Sequence, residues 1–540
     1  SNTMFKIAKK SVAVIVCFAV ILSLCACSGG KSVMDTISNL GKSKDVEPID
    51  EIGFTVPYMR TDSLDPYRAV NSMNKYVSHL IYDSLFTVDN TFKESAVIAE
   101  SATVSDTTLT VKIKNNIKFT DSSPLTSKDI VYSFNRAKDS VSYAGYLENI
   151  SDAAADGTYS VVFTLISPNK SEAANLIFPI VKDGSYTEKE VTTVPSEDGE
   201  EEETTASSAS GYTAKIPVGS GRYTFVSNGE SKYLQFNKNR LGKYMPTYAK
   251  IGLVDISASE SFSSLYDLNK IDFYADNFDS GKYTKFTKVS GNVELTDFVY
   301  IGINSDSGAL AEPRVRRAIA LALDRTELTS VSFAGCAVAT ALPFHPSYGK
   351  LKGCALPTLD IKKENAVSLL ESVGYSEIND SGARYNNDKV MNFTLLVNSE
   401  NDFRRSLARG IQQALESINI KITIKEASYS DYVSAITGES FDMYIGETEL
   451  SNSFGLSRFF SEKGGLRYGI SEKNKTSAVY GKYLSGQANL QALIGSFSDE
   501  MPFIPLAFRQ GITVSSEKIK SEIKTVPGDC FANINEWTAQ

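Results

Sequence analysis

Phe54, Val56 and Tyr58 alternate with polar neighbours before the turn Asp62-Ser63-Leu64-Asp65-Pro66, a period of two that predicts a strand. Over residues 74–85 the spacing lengthens, and Tyr76, Val77, Leu80, Ile81 and Leu85 share one helical face. Leu109, Val111 and Ile113, then Ile117 and Phe119, predict a strand and its continuation. Thr126-Ser127-Lys128-Asp129 offers an N-cap with an acid three residues on, opening a helix through Ile130, Val131, Phe134 and Ala137. Residues 161–165 predict a further strand, and residues 223–227 and 233–237 a pair joined through Asn228-Gly229. A strand is expected at 250–256 and a helix at 260–269. Glu312-Pro313 begins a helix with Val315, Ile319, Ala322 and Leu323 on one face and Arg314, Arg316 and Arg317 on the others. Amphipathic helices at 363–373 and 404–418 then alternate with strands at 392–397 and 421–425. The alternation predicts an α/β body. The absence of a repeat of about 20–50 residues excludes a solenoid.

The N-terminus departs from this pattern. After Met4, Lys6, Lys9 and Lys10 precede thirteen residues, 12–24, of which Ser23 alone is hydrophilic. That is the arrangement of a secretory signal, too short for the roughly 20 residues of a membrane-spanning helix. Leu24-Cys25-Ala26-Cys27 resembles a bacterial lipobox, which implies cleavage before Cys27 and a lipid on its thiol. Ser1-Asn2-Thr3, ahead of Met4, reads as an expression scar. Residues 27–49 are polar, with Gly29, Gly30 and Gly41, a flexible tether whose root-mean-square reach is on the order of 25 Å.

Composition narrows the function. The 540 residues are 42% hydrophobic and 22% charged, enough for several buried cores. Removal of residues 1–26 takes away three lysines and no acid, leaving 52 basic against 64 acidic residues. An acidic body lacks the basic footprint of a nucleic-acid binder, so no nucleic-acid partner is expected. Two histidines and six cysteines, three of them within the first 27 residues, argue against a metal cluster, and neither a metal nor another cofactor is expected. Residues 192–211 place Glu197, Asp198 and Glu200 to Glu203 among Thr, Ser and Ala, and such an acidic insert is expected to be disordered.

The ordered landmarks carry a resemblance. Ser63-Leu64-Asp65-Pro66, Leu80-Ile81-Tyr82-Asp83-Ser84-Leu85, Ile98-Ala99-Glu100-Ser101 and Pro124-Leu125-Thr126-Ser127-Lys128-Asp129-Ile130-Val131-Tyr132-Ser133-Phe134 are similar to the family-5 extracellular solute-binding proteins. That family includes the oligopeptide-, dipeptide- and nickel-binding components of bacterial ABC importers. Val218-Gly219-Ser220-Gly221-Arg222-Tyr223, Arg314-Val315-Arg316-Arg317-Ala318-Ile319-Ala320 with Asp324-Arg325, and residues 366–375 follow in family order. The resemblance implies an α/β, two-lobe periplasmic-binding-protein-like fold (type II, the large peptide-binding subtype) with an extra embedded subdomain. Transferred boundaries give a first lobe at 50–82, 217–304 and 516–540, a subdomain at 83–216 and a second lobe at 305–515. Crossings near Ile303-Asn304 and residues 509–513 would act as the hinge. The implied protein is a monomer, anchored by lipid outside the cytoplasm, that closes on a peptide or related solute and delivers it to a membrane permease.

The resemblance also nominates site residues. Asn71 and Ser72 follow the Asp65-Pro66 turn, where relatives run backbone beside the ligand; an ordinary turn is the alternative. Tyr143 and Tyr146 stand where relatives present an aromatic to the cleft, and Tyr266 has a similar position; each is otherwise a core residue. Trp537 is the one tryptophan, so tyrosine must supply any stacking surface. After Phe441-Asp442-Met443-Tyr444-Ile445-Gly446, peptide-binding relatives continue with Trp and then an Asp that pairs with the ligand's α-amine. This chain reads Glu447-Thr448-Glu449-Leu450. Leu450 takes the Asp position without gaps, and Glu449 serves if the loop shifts by one. On an extended backbone Glu447 and Glu449 point the same way, an acidic pair suited to a cationic group, or two solvated carboxylates. Arg404, with Arg405, lies near where some relatives meet the far end of a peptide, a partner for a ligand carboxylate or else a solvated helix face. His79 and His345 default to core or surface roles.

Cys336 and Cys354, eighteen residues apart in an exported chain, are candidates for a disulfide. A hydrolase is the rival class, and its motifs are missing. There is no Gly-x-Ser-x-Gly elbow, alternate carboxylates on one strand do not flank a sugar, and Gly29-Gly30-Lys31-Ser32 lacks the first Gly of a phosphate loop. The chain is therefore expected not to be an enzyme. A peptide-sensing surface receptor of the same fold is the remaining alternative.

Overall fold

The computed structural model describes residues 46–186 and 216–539, apart from 230, 241, 243, 257–260, 285, 287 and 307. The signal segment, Cys27, most of the tether and the insert at 192–211 lie outside the described residues.

Within the body, residues 50–540, three larger sheets carry the architecture. One has the strand order Ile49–Tyr58, Tyr248–Asp255, Ser231–Phe236, Tyr223–Asn228. Its hairpin pairs Asn228 with Ser231 across a two-residue loop in which Gly229 has φ 62°, the left-handed conformation that such turns require. A second sheet, Ala99–Ser105, Thr108–Ile113, Ser160–Leu165 and Ile150–Ala155, is antiparallel throughout. Helix Ser127–Lys138 packs on it through Ile130, Phe134 and Ala137. The expected capping box is formed, with the Thr126 amide donating to Asp129 Oδ2 at 2.8 Å.

The third sheet has seven strands. Two 13-residue strands, Gly291–Ile303 and Phe503–Ser515, pair antiparallel along most of their length, each spanning about 43 Å at roughly 3.3 Å per residue. Phe273–Asp276 adds at one end, through Ile512 to Ser515, and the short strand Ala337–Ala339 pairs with Ala507 to Arg509. Met443–Glu449 and the parallel pair Asn392–Asn398 and Lys421–Ala427 add at the other. The sheet thus draws strands from the ranges expected for both lobes. Pairing slips between Glu294 opposite Gln510 and Phe298 opposite Phe508, so Leu295, Thr296 and Asp297 face the single residue Arg509. This bulge twists the strand and re-aims its side chains. Deeper in the sheet, Gly302 faces Tyr444 and Gly446 faces Tyr300. A Cβ on Gly302 would lie 2.1 Å from the Tyr444 ring and one on Gly446 2.4 Å from the Tyr300 ring, so each glycine makes room for an aromatic.

The helices differ from expectation at their ends. The helix expected at 74–85 spans Ser72–Ile81, because Asn71 Oδ1 accepts the Met73 and Asn74 amides and Tyr82 is already extended. Arg316, expected on an outer face of Pro313–Leu321, is buried. Its guanidinium donates to the carbonyls of Leu310 (2.9 Å), Ala311 (3.0 Å) and Glu500 (2.7 Å). Cys336 and Cys354 are free thiols, so the expected bridge between them is not formed. Each sulfur sits in its own turn, 3.6 Å from the Ala334 carbonyl and 3.8 Å from that of Lys350. Burial, with Asp276 adding, pushes the Cys336 thiol up to about 11.

Candidate ligand-binding site

The subdomain expected at 83–216 meets the segments around 342–351 and 449–458 in several contacts, and Arg458 among them lines a large cavity. The Phe92 ring lies 4.9 Å from His345 and 5.1 Å from Phe454, and the Gly349 amide donates to the Thr91 carbonyl at 3.0 Å. Arg458 pairs with Glu148 at 2.6 Å. Asn175 donates to Ser453 Oγ at 2.9 Å, and Asn452 to the Ala174 carbonyl at 2.8 Å. The cavity volume is about 1070 Å³, at the upper end of small-molecule sites and wide enough for a short peptide.

Strand Met443–Glu449 supplies one wall. Its alternation turns Glu447 and Glu449 to the same side, and both line the cavity with Thr448. Their environments are opposite. Glu447 Oε2 is 2.5 Å from Arg404, and Oε1 accepts from Arg509 Nε. Burial alone would raise this carboxyl, but the Arg509 and Arg404 charges outweigh it and hold it down at about 2. Glu449 Oε1 is buried and has no hydrogen-bond partner. Burial, reinforced by Asp297, raises its carboxyl well above the ordinary range.

Asp297, which lies in the bulge, stands directly opposite Glu449 in the regular ladder on the strand's other edge. Arg509, 8% exposed, lies 3.7 Å from Asp297 and 3.5 Å from Asp279, and Lys75 lies 3.5 Å from Asp279. Burial lifts the Asp297 carboxyl to about 6, with Glu447 adding to the rise and Arg509 opposing it. Around this end, four carboxyls (Asp279, Asp297, Glu447 and Glu449) meet three cations (Lys75, Arg404 and Arg509). Arg458 is engaged by Glu148, by Thr448 Oγ1 at 2.9 Å and by the Glu449 carbonyl. The local surplus is negative, so the wall suits a cationic group.

The other wall is aromatic. Tyr143 and Tyr146 flank the short turn Ala144–Leu147 and line the cavity. Gly145 lies against Glu449, since a Cβ there would sit 3.1 Å from Oε1. Tyr146 accepts from Thr296 Oγ1 at 3.3 Å. His79 also lines the cavity, 3.4 Å from the Tyr143 hydroxyl and 3.9 Å from Asp529, so it belongs to the wall. Beyond it, Arg222 pairs with Asp529 (3.6 Å) and Arg240 with Asp83 (2.8 Å).

Of the nine nominated residues, Tyr143, Tyr146, Glu447, Thr448 and Glu449 line the cavity, and Asn71, Ser72, Tyr266 and Arg404 do not. Asn71 caps a helix, Ser72 is buried in that helix's first turn, and the Tyr266 hydroxyl donates to the Ser515 carbonyl at 3.3 Å. Arg404 is held by Glu447 behind the lining. Sequence reasoning missed Lys75, Asp279, Asp297 and Arg509. Arg509 stood at the edge of an expected crossing, but its role depends on a bulge that no local signal announced.

The family model described as bacterial extracellular solute-binding proteins, family 5 Middle, matches residues 95–462. The oligopeptide-binding protein AppA of Bacillus subtilis (strain 168) is 25% identical over 454 residues, 81% of this chain and 79% of the relative. Its structure in complex with a nonapeptide covers 92% of this chain and 98% of its own, with a TM-score of 0.55 and 21% identity. NikA from Brucella suis, in complex with Fe(III)-EDTA, shares the fold at a TM-score of 0.65 and 15% identity, covering 90% of this chain and all of its own. The periplasmic murein tripeptide-binding protein MppA, in an unliganded open form, does so at 0.66 and 14%, covering 91% and 98%.

Proposed function

From the premise that this chain belongs to the bacterial extracellular solute-binding proteins of family 5, a family of carriers and not of enzymes, we propose that it captures short peptides with a free α-amine. It is the binding component of an ABC importer. The observation that carries the peptide reading is the Glu449 carboxyl, which lines the cavity with one oxygen buried and unpartnered. An ammonium there gains a charge-assisted hydrogen bond from which water is excluded. Tyr143 and Tyr146 supply an apolar surface for the first residues, and AppA, whose structure holds a nonapeptide, is a peptide carrier. A micromolar complex needs about 8 kcal/mol net, within reach of one such anchor plus enclosure.

The rest of the reading follows from the chain's N-terminus and its two-lobe form. Cys27 carries the lipid that holds the protein at the outer face of the cell membrane, the tether gives it reach, and the monomeric closed form is what the permease recognises. A ligand that binds the closed form better than the open one shifts the population toward closure.

A thermal-shift titration with a tryptic digest of casein, and with the same digest N-acetylated, tests the ligand. The free-amine digest is expected to stabilise the protein, by about 2.7 kcal/mol at a hundredfold excess over Kd, and the acetylated digest is expected not to. Equal shifts from both would refute the amine reading. For the anchor, Cys27→Ala in the producing cell is expected to move the protein from the membrane fraction to the soluble one; unchanged fractionation would refute it.

A further inference from the structure

Asp297 and Glu449 occupy directly opposed positions of an antiparallel ladder, where side chains stand about 5 Å apart on one face and like charges repel. The cation nearest Asp297 is Arg509, and it is shared; those that act on Glu449 are Lys75 and Arg458. The Arg509 guanidinium also serves Glu447 and Asp279 and donates to the Asn277 carbonyl at 2.5 Å. Every other charged group that faces Glu449 already has a partner. On its own strand Glu447 is held between two arginines. From helix Ser72–Ile81 Lys75 pairs with Asp279, and from helix Ser457–Phe460 Arg458 pairs with Glu148. The turn Ala144–Leu147 and its flank present Tyr143 and Tyr146, whose hydroxyls burial keeps neutral. Four carboxyls against three cations leave one negative charge in excess at the cavity wall, where Asp279 is exposed but Glu447 and one oxygen of Glu449 are shielded from water.

Resting on the peptide reading above, we propose that in the ligand-free protein the Asp297–Glu449 pair holds one proton and releases it to solvent when the ligand's cationic group arrives. The carboxyl O–H breaks, the proton passes to water, and the carboxylate accepts a hydrogen bond from the incoming ammonium; no bond to the ligand is made. Capture is then an exchange of a proton for a cation. The upward displacement of both carboxyls by burial agrees with this arrangement, and the proton belongs to the pair, not to either residue alone. The specificity consequence is that a neutral N-terminus leaves the proton in place and gains nothing from the site. Affinity for free-amine peptides is expected to fall about tenfold for each pH unit below the range in which the pair gives up its proton.

Infrared difference spectroscopy of the full-length protein tests this. At pH 7 the wild type is expected to show the carbonyl stretch of a protonated carboxylic acid, which Glu449→Gln lacks, and the free-amine casein digest is expected to abolish it. No band in the wild type, a band that survives in Glu449→Gln, or a band that the digest leaves in place would each overturn the exchange. The two readings separate cleanly. If free-amine peptides stabilise the protein and acetylated ones do not, while the band is missing, the exchange fails and the peptide reading stands. If both digests stabilise it equally, the peptide reading fails as well.

Discussion

Replacing Arg509 by Gln removes the cation that Glu447, Asp297 and Asp279 share, and its cost can be worked from Glu447. The fall of that carboxyl from 4.5 to about 2, at about 1.4 kcal/mol per pH unit, corresponds to about 3 kcal/mol. Arg404 retains part of this, because it still meets Oε2 at 2.5 Å. Against that, Asp297 loses its nearest cation, and breaking a buried pair typically costs about 3–5 kcal/mol. A loss of about 3 kcal/mol is therefore expected in urea denaturation at pH 7. The sign of the pH dependence follows from the direction of the displacement. A carboxyl held low stabilises the fold above its ordinary value of 4.5 and loses that contribution as pH falls toward 2. The gap between wild type and variant should thus be constant above about pH 5 and narrow by pH 3. A gap under about 1 kcal/mol at pH 7, or one as wide at pH 3 as at pH 7, would refute the shared-cation account.

Gly446→Ala drives a methyl into the Tyr300 ring at 2.4 Å and is expected to cost about 1–3 kcal/mol, read as a lower urea midpoint; an unchanged midpoint would show that the ring moves aside. Phe92→Ala removes the ring seated against His345 and Phe454. Hydrogen exchange should report faster opening at residues 345–351 and 451–456 than in the wild type, and unaltered protection there would show that the polar contacts alone hold these segments in place. Because the three described cysteines are free thiols, a reductant is expected to leave the melting temperature unchanged; a fall of several degrees would restore the Cys336–Cys354 bridge.

The local rules were legible in the chain because they are set by neighbours in sequence. The capping box at Thr126 and Asp129, the hairpin through Asn228 and Gly229, and the shared face of Glu447 and Glu449 are one-element facts, and the structure contains each of them. The order of such elements was enough to indicate the family and its two lobes. What the chain alone did not decide was which charges meet. Glu447 and Glu449 are equivalent by alternation, yet one is clamped by Arg404 and Arg509 and the other is left unpartnered. That difference arises where Asp297 and Arg509, 212 residues apart, are brought together by a slip in strand register. Arg404, read as a partner for a ligand carboxylate or a solvated helix face, and Arg316, read on an outer face, instead meet Glu447 and the Glu500 carbonyl, both distant in sequence. Charge in a protein interior is governed by desolvation and by the nearest opposite charge, both properties of packing, whereas helix and strand periodicity is a property of the backbone that the sequence carries within itself.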